Sequence, residues 1–79
     1  MMDSKQLALV YLMEECNRMA SVCTKNVHTL DKKKSQKALE QQVGVVFSAL
    51  KEVAEEFNLD ESKVENYAME EYNRRQNDR

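Results

Sequence analysis

Apolar residues recur along the chain at alternating steps of four and three, the spacing of one face of an α-helix. Leu9, Met13, Cys16, Ala20 and Cys23 mark the first such line, with Ala8, Leu12, Met19 and Val22 widening it. Leu39, Val43, Val46, Leu50, Val53 and Phe57 mark the second, and Val45, Phe47, Ala49 and Ala54 add apolar positions outside it. A third line, Val64, Tyr67, Ala68 and Tyr72, follows Asp60, a good N-cap residue, with Leu59 placed to staple onto Val64. The pattern predicts helices over about 4–25, 32–57 and 61–76, with the terminal NRRQNDR fraying. Asn26 to Leu30 is the one long irregular link, and Asp31 is available to cap the second helix. Phe57-Asn58-Leu59 is a tight turn that should make the second and third helices neighbours.

The expected architecture is therefore all-α: one domain over 1–79, a long antiparallel helical hairpin with a shorter third helix folded alongside. Composition supports this, since 79 residues with one Gly, no Pro and 6% aromatics lack both the turns and the side chains of a many-stranded fold. A chain this short buries little core alone. Apolar surface beyond one seam predicts a homo-oligomer joined through the first two helices. Cys16 and Cys23, seven residues apart on one helical face and so about 10 Å apart, are too distant for a disulfide. They read as small core residues in a reducing compartment. The apolar run from Leu7 to Met13 is too short for a signal peptide or a membrane span, and a cytoplasmic protein is expected.

Charge changes the picture only locally. The net charge of −2 gives no global reason to expect DNA. Between Lys25 and Lys37, however, five lysines face one acid, Asp31, and from Glu40 to Glu71 nine acids face Lys51 and Lys63. The lysines around the start of the second helix have two readings: a solvated tip, or an anion site where lysines and helix N-terminal amides converge on phosphate.

The segment LMEECNRMASVCTKNVHTLD is similar to the first active-site helix of the MazG-like, all-α nucleotide pyrophosphohydrolases. LEQQVGVVFSALKEVAEEFNLDESKVENYAMEEYNRR resembles that family's second signature helix, turn and basic final helix, with Gly44 and Asn58-Leu59-Asp60 where the family has its glycine and turn. The resemblance spans about residues 7 to 76. It implies four carboxylates from two helices holding Mg²⁺, a hard cation that needs oxygen ligands. Glu14 and Glu15 match the first two acids, but the third position is Arg18, and the second motif has Gln42 and Val45 where acids belong. Arg18 would place a cation where a metal should sit. No catalytic residue, metal ligand or cofactor is therefore assigned.

A short MazG-like chain without the metal acids resembles the small phage proteins that sequester cyclic oligonucleotide signals of bacterial anti-phage (CBASS) immunity. That resemblance implies a helical oligomer that binds a cyclic oligonucleotide or other nucleotide without cleaving it, in the host cytoplasm. The nearest matching residues are Tyr11 for base stacking and Thr24, Lys25 and Thr29 for phosphate; beside them His28, and Arg74 and Arg75 near the C-terminus, are candidate phosphate contacts on their own chemistry. Each has a plainer reading as well. Tyr11 reads equally as a rim tyrosine, His28 as a loop residue, Arg74 and Arg75 as partners of the helix dipole, and Glu14 as an i, i+4 partner of Arg18. Two other functions stand beside this one. One is a weak Mg²⁺-dependent pyrophosphohydrolase using Glu14, Glu15 and Glu40. The other is a protein-binding adaptor or inhibitor that docks a partner helix on the broad face of the first helix.

Overall fold

The computed structural model describes residues 1–78, folded as α1 (Ser4–His28), α2 (Lys32–Glu56) and α3 (Glu61–Asn77). An aspartate opens each helix. Asp3 accepts from the Gln6 backbone N–H at 2.8 Å while Gln6 Oε1 accepts from the Asp3 N–H at 3.0 Å, a reciprocal capping box. Asp31 and Asp60 accept from the backbone N–H of Lys34 and Lys63, each at 3.1 Å.

The first helix runs further than its apolar line predicts, to His28, so the link to α2 is only Thr29, Leu30 and Asp31. Asn26 accounts for the extension. Its Nδ2 donates to the Val22 carbonyl within α1 and to the Ser35 carbonyl of α2, each at 3.1 Å, pinning the last turn of α1 against the first turns of α2. At the opposite end Ser4 Oγ donates to Glu56 Oε2 at 2.9 Å, and Lys5 Nζ lies 5.8 Å from the centre of the Phe57 ring. Together these contacts close an antiparallel hairpin at both ends.

The line buried between the two helices is not the most apolar one. On α1 it is Ala8, Leu12, Glu15, Met19, Val22 and Asn26, and on α2 Ser35, Leu39, Gln42, Val46, Ala49, Val53 and Glu56, all buried or half-buried. The α1 line sits one residue before the expected one, a rotation of about 100°. Leu9, Met13, Cys16, Ala20 and Cys23 are consequently exposed, and the two cysteines are not core residues. On α2, Leu39, Val46 and Val53 face inward as expected, whereas Leu50 and Phe57 are exposed. The shifted line wins because Ala8 and Ala49, both fully buried, let the helices approach closely, while Glu15 and Asn26 find polar partners on α2.

The expected packing of α3 is also corrected. The turn forms: Asn58 adopts φ 50°, with Leu59 N–H donating to the Ala54 carbonyl at 2.9 Å and Asn58 N–H to the Glu55 carbonyl at 3.2 Å, a Schellman cap. Yet α3 is exposed along its whole described length, and Val64, Tyr67, Ala68 and Tyr72 face no core. The turn fixes where α3 starts, and its one narrow apolar stripe is too sparse to hold it on the hairpin. The described chain measures 42 × 37 × 15 Å, so it is little more than one helix thick. Its radius of gyration is 15.2 Å, against about 12 Å for a compact domain of this length. The last turns of α3 do not fray as expected, because Arg74 and Arg75 bond along the helix to Glu71, and Arg74 also to Asp78. No described helix is long and apolar enough to cross a membrane.

Close approach at Ala49 makes a sharp prediction. Ala49→Leu, though still apolar, overpacks the seam and should lower unfolding free energy in urea by about 1–3 kcal/mol. Met13→Ala, on the exposed line, should change monomer stability by no more than about 0.5 kcal/mol.

Candidate functional site

Of the five positions compared above with metal ligands, Glu15, Arg18 and Gln42 meet across the hairpin in a hydrogen-bonded network. Glu15, 4% exposed, is the one buried charged residue among those described. Its Oε1 accepts from Gln42 Nε2 at 3.1 Å, its Oε2 pairs with Arg18 Nη1 at 3.4 Å, and Gln42 Nε2 also donates to the Glu15 carbonyl at 3.0 Å. A buried carboxylate demands such partners. Arg18 thus pairs with Glu15 at i, i+3, in place of the expected Glu14 at i, i+4, and Glu14 stays on the surface. Glu40 lies exposed on α2 and accepts from Gln36 Nε2 at 3.2 Å. A guanidinium beside the one buried acid, with a carboxamide and Val45 at the remaining positions, is a donor set that does not fit Mg²⁺.

A second locality lies at the loop end. Lys25, Asn26, His28, Thr29, Lys34 and Ser35 line an open cleft of about 530 Å³ between the last turn of α1 and the first turns of α2. Lys25, Lys34 and His28 bring two ammonium groups and an imidazole to its wall, with Asp31 the one acid there, while the Asn26 amide and the Ser35 hydroxyl already donate to the Val22, Ser35 and Lys32 carbonyls. Thr29 Oγ1 accepts from the Asp31 N–H at 3.2 Å, which orders the short link.

Three of the predicted ligand residues, Lys25, His28 and Thr29, are therefore brought together here. Thr24 is not among them. It is exposed, and its Oγ1 is turned back to the Ala20 carbonyl at 2.9 Å. Tyr11 is half-buried and stands 14 residues before Lys25, about 21 Å along α1. Arg74 and Arg75 are on α3, with Glu71 bonded to Arg74 Nε at 3.0 Å and Arg75 Nε at 2.9 Å. Asn26, Ser35 and Ala38 are the cleft residues the sequence reading does not single out, whereas Lys34 belongs to the lysine run it reads as a solvated tip or an anion site. The signal for Asn26 lay in the spacing, since it continues the 8-12-15-19-22 line by four. Among the described residues no three of His, Cys, Asp and Glu converge in a metal-holding arrangement.

The bonds from Arg74 and then Arg75 hold the Glu71 carboxyl well below its usual value, at about 2. A lowered folded-state value means the contribution is complete above the ordinary carboxylate range and is lost as pH falls through the folded value. Helicity at the end of α3, read by circular dichroism, should accordingly decline between pH 4.5 and about 2, and Glu71→Gln should remove that step. At the network, Gln42→Met keeps the volume but leaves Glu15 Oε1 without its donor. It should cost about 1–3 kcal/mol in urea unfolding, whereas Gln41→Met on the exposed side should be near neutral.

Compared with protein-family models, curated proteins and solved structures, the chain matches none.

Proposed function

We propose that this chain is a non-catalytic nucleotide-binding protein that acts as a homo-oligomer and grips its ligand by the phosphates. The resemblance stated above specifies the ligand as a cyclic oligonucleotide and the role as sequestration of an immune signal by a phage protein in the host cytoplasm. The observation that carries the reading is the loop-end cleft, which gathers Lys25, His28, Thr29 and Lys34 around a single acid, Asp31, whose Oδ1 already accepts from the Lys34 backbone N–H. The Glu15 network supports the non-catalytic half. Both carboxylate oxygens are already engaged by Arg18 and Gln42, so a hydrolase using Glu14, Glu15 and Glu40 would have to give up that pairing to gather a cation.

Sequestration breaks no bond, so binding must be stoichiometric and tight relative to the ligand's concentration. Titration calorimetry with cyclic di- and trinucleotides should give saturable binding at low micromolar or tighter affinity that weakens with salt. The double variant Lys25→Glu/Lys34→Glu should lose more than about tenfold, with the circular dichroism spectrum unchanged. Absence of binding up to about 100 μM would end the nucleotide reading.

A protein-binding adaptor is a second reading, favoured by the exposed apolar residues Met13, Phe47 and Leu50. Under that reading Phe47→Glu would abolish the partner complex and Lys25→Glu would leave it intact.

A further inference from the structure

Tyr11, Arg18 and Lys25 recur along α1 at steps of seven residues, just short of two full turns, so they form one row on the side of the hairpin where the cleft opens. Gln41, seven residues after Lys34, holds the matching place on α2. The row therefore continues the cleft toward the middle of the hairpin. Val22 and Ala38 line the cleft at that end, and between Lys25 and Arg18 the helix carries no charged side chain. Arg18 stands one turn beyond this uncharged floor and about 10 Å from Lys25, the reach of a nucleotide from its phosphate to the far edge of its base.

Arg18 is only partly engaged by the hairpin. Its side chain is 70% exposed, and its one bond among the described residues runs from Nη1 to Glu15 Oε2 at 3.4 Å. Nε and Nη2 are left with their donors turned to no acceptor, in the planar fork of a guanidinium. The buried Glu15 carboxylate behind the fork has two effects. It holds the guanidinium from the side nearer the seam, and it balances the charge, since the other partner of Glu15, Gln42, is neutral. A charge-balanced fork matches two neutral acceptors on a base better than a second phosphate. Guanine presents such a pair, O6 and N7, whereas adenine has an amino donor in place of O6. Glu14, exposed one turn before Arg18, is an acceptor on the same side and suits the N–H donors that guanine carries beside O6. Glu52, the other acid on this side, lies farther on, at the open end.

We infer that Arg18 is the base-reading residue of the cleft and that the ligand class is a guanine nucleotide. With the phosphate held by Lys25 and Lys34, the base lies over Val22 and Ala38 and gives its O6 and N7 edge to the Arg18 fork. The inference rests on the nucleotide reading proposed above and adds which base is held.

The test is titration calorimetry of the full chain with cyclic diguanylate and cyclic diadenylate at one salt concentration, two ligands with the same phosphates and different bases. The wild-type chain should hold the guanine ligand about tenfold tighter or more. Arg18→Lys keeps a cation beside Glu15 but loses the fork. It should bring the two affinities within about twofold of each other, while the affinity for the adenine ligand stays as it was. Urea unfolding of Arg18→Lys checks that the hairpin stands, and if that variant fails to fold the wild-type ratio still decides. Equal affinities in the wild-type chain, a preference for adenine, or a guanine preference that survives in Arg18→Lys would overturn the base reading and leave the phosphate grip standing. Binding of neither ligand would overturn both.

Discussion

The hairpin is organised by the demand of one buried carboxylate for partners. Glu15 sits at mid-length in α1, and leaving its oxygens unpaired in the seam would cost several kcal/mol. Gln42 of α2 and Arg18 of α1 meet that demand together. Once Glu15 faces Gln42, the register of the two helices is set. Asn26 then reaches the Ser35 carbonyl, Ser4 reaches Glu56, and the small side chains of Ala8 and Ala49 fall inside. A buried polar contact of this kind adds little net stability compared with an apolar pair, but a rotated α1 would leave the carboxylate without its α2 donor.

This constraint has a consequence on the outside of the molecule. Each long helix carries two adjacent four-three lines, and only one can face the hairpin partner. By claiming the line that contains Glu15 and Asn26, the network turns the more apolar line of α1 outward, beside Phe47 and Leu50 of α2. The chain therefore has a thin, extended shape, 15 Å in its smallest dimension, with few large side chains withdrawn from water. The apolar line of α1 that hydrophobicity alone would place in the core thus lies on the outside of the hairpin.

Much of this was legible in the residues. Element number, type and most boundaries follow from the apolar periodicity and from Asp31 and Asp60 as caps, both of which accept the bonds expected of them. Which line faces inward was not legible, since Leu9-Met13-Cys16 and Ala8-Leu12-Glu15 have the same spacing and the second contains a charge. Hydrophobicity alone selects the first; the partner at Gln42, 27 residues away, selects the second. The end of α1 was misplaced for the same reason, because Asn26 is a poor helix former until Ser35 supplies its acceptor. The position of α3 failed differently. A tight turn fixes sequence neighbours, whereas packing needs complementary faces, and Val64, Tyr67 and Tyr72 have none within the hairpin. Of the cleft lining, Lys25, His28 and Thr29 come from one stretch at the end of α1, where the resemblance and the lysine run both pointed. Lys34 comes from the other helix and joins them only once the three-residue link has folded.

The separation of charge from apolar surface bears on what the proposed binding would do to the hairpin. The cleft lies on one side of the hairpin and the apolar face on the other, with the Glu15–Gln42 contact between them. A ligand at the cleft bridges the last turn of α1 and the first turns of α2, the same turns that Asn26 and Ser35 hold together. It would therefore tighten the loop end without touching the far face.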